Sequence, residues 1–221
     1  MTDTGANQRT PPATDPALAK ALSALAMPGI AIGGRAIAPG DEAALLDEES
    51  QSLAASTPQA LRASGAARLV ARELLGRLGL QPAAMPKGPA GAPLWPPGVV
   101  GSFAHDEQAA VAALARSRDM RALGIDIEPA AMLPAGMLDL VVTPRERIQL
   151  ARDPFGGRLH FTVKEAVYKA LHPLDGKFLD FHDIELDLAG GMATTSGAQR
   201  LHFRSAVSAH IVALAFLPAG A

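Results

Sequence analysis

Apolar residues return at helical spacing in several stretches and alternate or run on in others. Behind Pro16, which suits a first helical turn, Leu18, Leu22 and Leu25 space a short amphipathic helix that stops at Met27-Pro28-Gly29. Residues 29–38 alternate weakly, as a strand would, and residues 41–55 read as a short acidic helix. The strongest stripe, Leu61, Leu69, Leu74, Leu75 and Leu78, predicts a helix over 58–80 closed by Gly79. Six prolines and three glycines between 81 and 98 exclude helix and central strand, so this is a shaped loop. Strands are predicted at 99–103, 109–114, 123–127, 178–188 and 201–217, helices at 144–151 and 159–172, and a second loop at 129–136. Helices followed by strands, twice over and without regular βαβ alternation, point to an α+β fold. Residues 1–16 are small, polar and proline-containing, and are expected to form a disordered tail.

Composition narrows the chemistry. A chain of 221 residues can build a real core, here from Leu, Ile, Val and 45 alanines, because aromatics make up only 4%. Cysteine is absent, which excludes disulfide frameworks, thiolate metal sites and cysteine nucleophiles together. Net charge is −2 with no basic arm, so no nucleic-acid partner is expected. The longest charge-free run near the start, residues 21–34, carries Pro28 and falls short of the ~20 residues a membrane span needs. No basic segment introduces it as a signal peptide would have, and a cytoplasmic location is expected.

Three segments carry candidate chemistry. In Gly124-Ile125-Asp126-Ile127-Glu128, strand alternation places the two isoleucines on one face and the two carboxylates on the other, about 7 Å apart. They are either a solvated acidic edge or ligands for a hard divalent cation. In residues 161–171, Glu165 and Lys169 share a helix face with Phe161, beside Lys164 and Tyr168. Glu165 and Lys169 at i,i+4 can be a plain surface pair. Yet two of only five lysines and the sole tyrosine fall within six residues, a concentration suited to a metal–pyrophosphate site. In residues 93–106, the sole Trp95 sits in the proline-rich loop, and His105 follows a short apolar strand as a structural histidine or a ligand contact. Ser102 lacks a nucleophile elbow. Upstream, Arg68 and Arg72 are solvated cations or phosphate grips, with solvation expected for Arg72.

In this order the three segments resemble the 4′-phosphopantetheinyl transferases that serve siderophore, polyketide and peptide synthetases. The resemblance lies in Gly101-Ser102-x-x-His105, in Gly124–Glu128, and in Phe161-x-x-Lys164-Glu165-Ala166-x-Tyr168-Lys169. Gly91-x-Pro93 with Trp95, and Lys177-Phe178-Leu179-Asp180-Phe181, are similar to that family's connecting loops. The resemblance implies two similar α+β halves, 17–115 and 116–221, forming one catalytic unit with the site between them. It also implies transfer of the phosphopantetheine arm of coenzyme A, the co-substrate, to a serine of an acyl or peptidyl carrier protein, with release of 3′,5′-ADP. Carried over by position, Asp126, Glu128 and Glu165 would hold Mg²⁺ (or Mn²⁺), and Glu165 would accept the serine proton. Lys164 and Lys169 would neutralise phosphate oxygens. Arg68, Lys87, Ala104 and His105 would contact the coenzyme, and Phe178 with Leu179 would line the pantetheine arm. A monomer and an acidic, helical acceptor are expected.

Two departures stand out. Ala104 replaces the serine or threonine that often precedes the histidine, leaving a backbone N–H at most. Where a basic cluster usually precedes Arg68, this chain has Gln59-Ala60-Leu61, with Arg62 alone nearby. Two other functions therefore stay open: a non-catalytic module that binds coenzyme A or a carrier protein, and a Mg²⁺-dependent pyrophosphohydrolase using water.

Overall fold

The computed structural model describes residues 15–54, 56–88, 91–148, 150 and 153–220. The expected tail lies outside these up to residue 14, while Asp15 caps the first helix and Pro16 opens it. In chain order the elements are α1 (Pro16–Ala24), β1 (Ile30–Ala36), a 3-10 turn (Asp41–Ala44), α2 (Asp47–Ser52), α3 (Pro58–Arg77), β2 (Val99–His105), β3 (Ala109–Arg116) and β4 (Met120–Pro129). There follow α4 (Leu138–Val141), α5 (Pro144–Arg147), α6 (Gly156–Asp175), a 3-10 turn (Phe181–Asp183), β5 (Ile184–Asp187), β6 (Met192–Thr195), β7 (Arg200–Val207) and β8 (His210–Pro218). The architecture is α+β in two halves: a three-stranded antiparallel sheet ordered β1-β3-β2, and a five-stranded one ordered β4-β8-β7-β6-β5. The long helices divide between the sheets, α3 packing on the first and α6 on β4 and β8 of the second. No described helix is long and apolar enough to cross a membrane.

Local chemistry sets the ends of α3. Thr57 accepts from the Ala60 amide, Pro58 occupies the first turn, and Gly79 beyond the helix adopts φ +70. Where one acidic helix was expected over 41–55, there are two short pieces. The Asp41 carboxylate is drawn away by Arg35 (2.9 Å) and the Ala38 amide (2.8 Å), and Leu45 is extended between the pieces. Residues 201–217, expected as strand throughout, form the β7–β8 hairpin, whose turn is closed by Ser208 and His210 bonding each other. Strand was also expected from 178. There the Asp180 side chain caps a 3-10 turn, and β5 starts only at Ile184.

β4 positions the site. Leu123, Ile125 and Ile127 enter the core shared with α1, β1, β3 and β8, while Ala122 joins Val163, Ala166, Val167 and Ala170 of α6 in another. Gly124, on the α6 side, lets the two backbones nearly touch. A Cβ there would overlap the Ala166 carbonyl oxygen and stand 2.7 Å from the Ala170 nitrogen. This close approach brings Asp126, one step along the same face, under α6.

Candidate functional site

Asp126 is buried, and its Oδ1 accepts from Lys169 Nζ at 2.6 Å. Lys169 thus reaches across to the strand instead of serving only as a surface partner for Glu165. Asp126 Oδ2 is buried with no hydrogen-bond partner among the described residues. Burial pushes the Asp126 carboxyl above its ordinary range, and Lys169 pulls it back down. Glu128 and Glu165 are also raised, first by burial and next by the charge of Asp126. Glu128 and Glu165 therefore both lie within the field of Asp126. The three carboxylates do not form a ready-made cage: among the described residues no group of three His, Asp or Glu side chains could hold a metal ion as it stands. Lys169 occupies Asp126, and Arg158 occupies Glu128 through a 2.9 Å bond.

The other expected site residues divide. His105 ends β2 beside a cleft of about 810 Å³ that it lines with Arg62, Asp106 and Glu128. Desolvation lowers its basicity, and Lys169 adds to this. Lys87 lines a second cleft of about 340 Å³ with Phe103, Tyr168, Lys169 and His172. Phe178 and Leu179 border a cavity of about 100 Å³ shared with Glu165 and Tyr168, and Phe178 meets the Tyr168 ring edge-on at 6.0 Å. Ala104 turns its methyl into the core, leaving only main chain at that position for a ligand.

Two expectations are corrected, those for Lys164 and Arg72. Lys164, expected at phosphate oxygens, is fully buried and donates to the Val141 carbonyl (2.8 Å), Glu146 (2.7 Å) and the Phe181 carbonyl (3.0 Å). An ammonium has three donors, so none is left for a ligand. Arg68, expected at a coenzyme phosphate, lies over the Phe103 ring and donates to the Met85 and Ser64 carbonyls, which leaves donors to spare where it lines a cleft of about 230 Å³ with Lys87 and Phe103. It holds the loop after α3, and its Glu49 neighbour at 3.6 Å also receives the Met85 amide. Arg72, expected in solvent, forks onto Glu49 at 2.9 and 3.1 Å. Sequence reasoning missed Arg158, which lies two turns before Glu165 on α6, a spacing that could have revealed it. It also missed His172, one turn beyond Tyr168, whose rings lie 5.1 Å apart.

Comparison with known proteins identifies the family. Residues 48–115 match the family model for the 4′-phosphopantetheinyl transferase N-terminal domain, and residues 122–215 match that for the 4′-phosphopantetheinyl transferase superfamily. The chain is 45% identical over 156 residues to 4′-phosphopantetheinyl transferase Svp of Streptomyces mobaraensis, covering 67% of this chain and 63% of that protein. It is 42% identical over 141 residues to 4′-phosphopantetheinyl transferase Npt of Nocardia iowensis (62% and 64% covered). It is 37% identical over 145 residues to 4′-phosphopantetheinyl transferase PptT of Mycobacterium tuberculosis (64% of each). The chain thus spans just under two thirds of the length of these relatives. The solved holo-[acyl-carrier-protein] synthase of Thermotoga maritima is similar at 21% identity and a TM-score of 0.36, covering 44% of this chain and 63% of that one. So distant a likeness bears on neither the site nor the activity.

Proposed function

Because this chain belongs to the 4′-phosphopantetheinyl transferase superfamily, we propose that it transfers the phosphopantetheine group of coenzyme A to a serine of an acyl or peptidyl carrier protein. The serine oxygen bonds to the phosphorus bearing the pantetheine arm, and the phosphoanhydride bond breaks. The bonding electrons leave with 3′,5′-ADP, and the serine proton passes to Glu165, directly or through a water. One observation carries the reading: the buried, unpartnered Asp126 Oδ2 beside two carboxylates whose pKa its own charge raises.

That environment suits a hard dication, for which an all-oxygen donor set is the natural match. Asp126, Glu128 and Glu165 would hold Mg²⁺, or Mn²⁺, once Lys169 and Arg158 release the first two. When bound, the ion neutralises pyrophosphate oxygens. This chain's own groups do the rest. Lys169, freed from Asp126, turns to a phosphate oxygen, while His105 and Lys87 offer further donors at the cleft walls. Phosphoryl transfer depends chiefly on charge neutralisation and in-line positioning, so no internal nucleophile is needed. Lys164 is left out of the ligand set, while Arg68 keeps donors free on a cleft wall beside Lys87.

The test is to incubate the protein with coenzyme A, Mg²⁺ and an apo carrier protein, then weigh the carrier. A mass gain of one phosphopantetheine group supports transfer. Free 3′,5′-ADP with an unmodified carrier would instead indicate hydrolysis by water. Ala104, which offers no hydroxyl beside His105, and Gln59-Ala60-Leu61 in place of a basic cluster favour a second reading, a non-catalytic coenzyme A or carrier-binding module, for which neither product would form.

A further inference from the structure

Asp106 follows β2 of the first sheet and His210 opens β8 of the second. They stand 104 positions apart in the chain, yet His210 Nδ1 meets Asp106 Oδ2 at 2.7 Å. Both side chains are buried, 7% and 4% exposed. An ionised carboxylate can only accept, so the imidazole donates from Nδ1. Asp106 Oδ1 receives the Gln108 and Ala109 amides at 2.7 Å each and closes the turn between β2 and β3. Ser208 and His210 close the β7–β8 turn in the same way, so the imidazole starts from a fixed main chain.

Each end of this contact adjoins a residue of the candidate site. Asp106 comes directly after His105, and the two line the largest cleft together with Glu128. His210 stands opposite Pro129 in the β4–β8 register, one position beyond Glu128, and the Ala209 carbonyl accepts the Ala130 amide. β2 and β4 pack against each other but belong to different sheets. Among the described residues no ladder of main-chain hydrogen bonds therefore fixes where His105 stands against Glu128. The Asp106–His210 contact crosses that junction. The charge of Asp106 also reaches both neighbours. Burial raises the Glu128 carboxyl, Asp126 raises it further, and Asp106 adds to this against Arg158. Desolvation lowers His105, while the main chain and the carboxylate of Asp106 favour its charged form.

We propose that His210 is a positioning residue for the transfer reaction: by holding the Asp106 carboxylate, it sets His105 and Glu128 against each other across the junction of the two sheets. It acts through Asp106 and touches no substrate. This rests on the transfer reading above, in which His105 offers a donor at the cleft wall and Glu128 helps to hold the ion. Outer partners of this kind orient the groups that meet a ligand, and their loss is felt as weaker binding. Both contributions therefore weaken together when the junction loosens.

Two amide substitutions separate positioning from packing. The side-chain nitrogen of asparagine reaches the place of Nδ1, and that of glutamine the place of Nε2. His210→Asn thus keeps the donor to Asp106, and His210→Gln loses it. Both leave a polar group in the site, and thermal melts check that each variant folds. Coenzyme A is titrated calorimetrically in the presence of Mg²⁺. His210→Gln is expected to raise the Kd by about tenfold or more, as loss of an outer partner does, and His210→Asn to match the unmodified protein. Unchanged affinity in His210→Gln, or an equal loss in both variants, would overturn the proposal. The imidazole ¹H–¹⁵N spectrum of the unmodified protein needs no variant: it should show a proton on His210 Nδ1, and a bare Nδ1 would overturn the proposal as well. If the two variants part as expected but the unmodified protein modifies no carrier, the positioning role toward coenzyme A stands while the transfer reading fails. If the unmodified protein does not bind coenzyme A at all, both fail.

Discussion

Lys169 on α6 and Asp126 on β4 meet at 2.6 Å, and the second oxygen of that carboxylate has no partner among the described residues. A helix and a strand can approach this closely only where one of them lacks a side chain. At that crossing the residue is Gly124.

Gly124→Ala should therefore act on stability and site together. Its methyl would meet main-chain atoms of α6, which cannot rotate away, so the helix must lift from β4. Overpacking of this kind costs about 1–3 kcal/mol. A fall in Tm with a disproportionate loss of transfer is expected. A variant with unchanged melting and full activity would contradict the close-approach account.

Lys164→Met tests whether that ammonium is structural. Burial lowers the basicity of Lys164, Glu146 restores part of it, and Glu146 also receives the Thr143 and Leu186 amides. Removing one partner of a buried pair costs about 3–5 kcal/mol. A large loss of Tm is expected, partly recovered by adding Glu146→Gln, with the coenzyme KM little changed in whatever protein stays folded. Unaltered stability with a raised coenzyme KM would return Lys164 to the phosphate.

His160 gives the chain an acid weakness. Its ring is buried in α6, Nδ1 bonds the Gly156 carbonyl at 2.8 Å, and Nε2 has no partner among the described residues. Desolvation lowers its pKa below the ordinary 6.5, with Lys164 adding to this and Glu146 and Asp153 opposing it. The unfolded chain thus binds a proton that the folded one refuses. The stability contribution is complete above about pH 6.5 and declines as pH falls below it. His160→Phe leaves no orphan carbonyl, because the helix ladder still serves Gly156. Urea melts from about pH 7.5 to 5 should show a smaller drop in stability for the variant than for the unmodified protein. Parallel curves would show that His160 does not titrate on unfolding.

What the sequence made legible depends on the range of the forces involved. The ends of α3 could be read because Thr57, Pro58 and Gly79 act within a turn of their own position. The two faces of β4 could be read because strand alternation is local, and it placed Asp126 and Glu128 together. The partners of Lys164 and Arg68 could not. Glu146 lies eighteen residues from Lys164, and Met85 seventeen from Arg68. A lysine beside a candidate ligand looks the same in sequence whether it points into a cleft or into the core. The β7–β8 turn escaped notice because Ser208 and Ala209 carry neither glycine nor proline to mark it.

The carboxylate set is tested most directly by calorimetric titration of Mg²⁺ in the presence of coenzyme A, which does not rely on turnover. The unmodified protein should bind one ion with measurable heat, and Asp126→Asn, which keeps the shape but removes the charge, should bind it far more weakly. Equal Mg²⁺ affinity in the two proteins would contradict the assignment of Asp126, Glu128 and Glu165 as the ion's ligands.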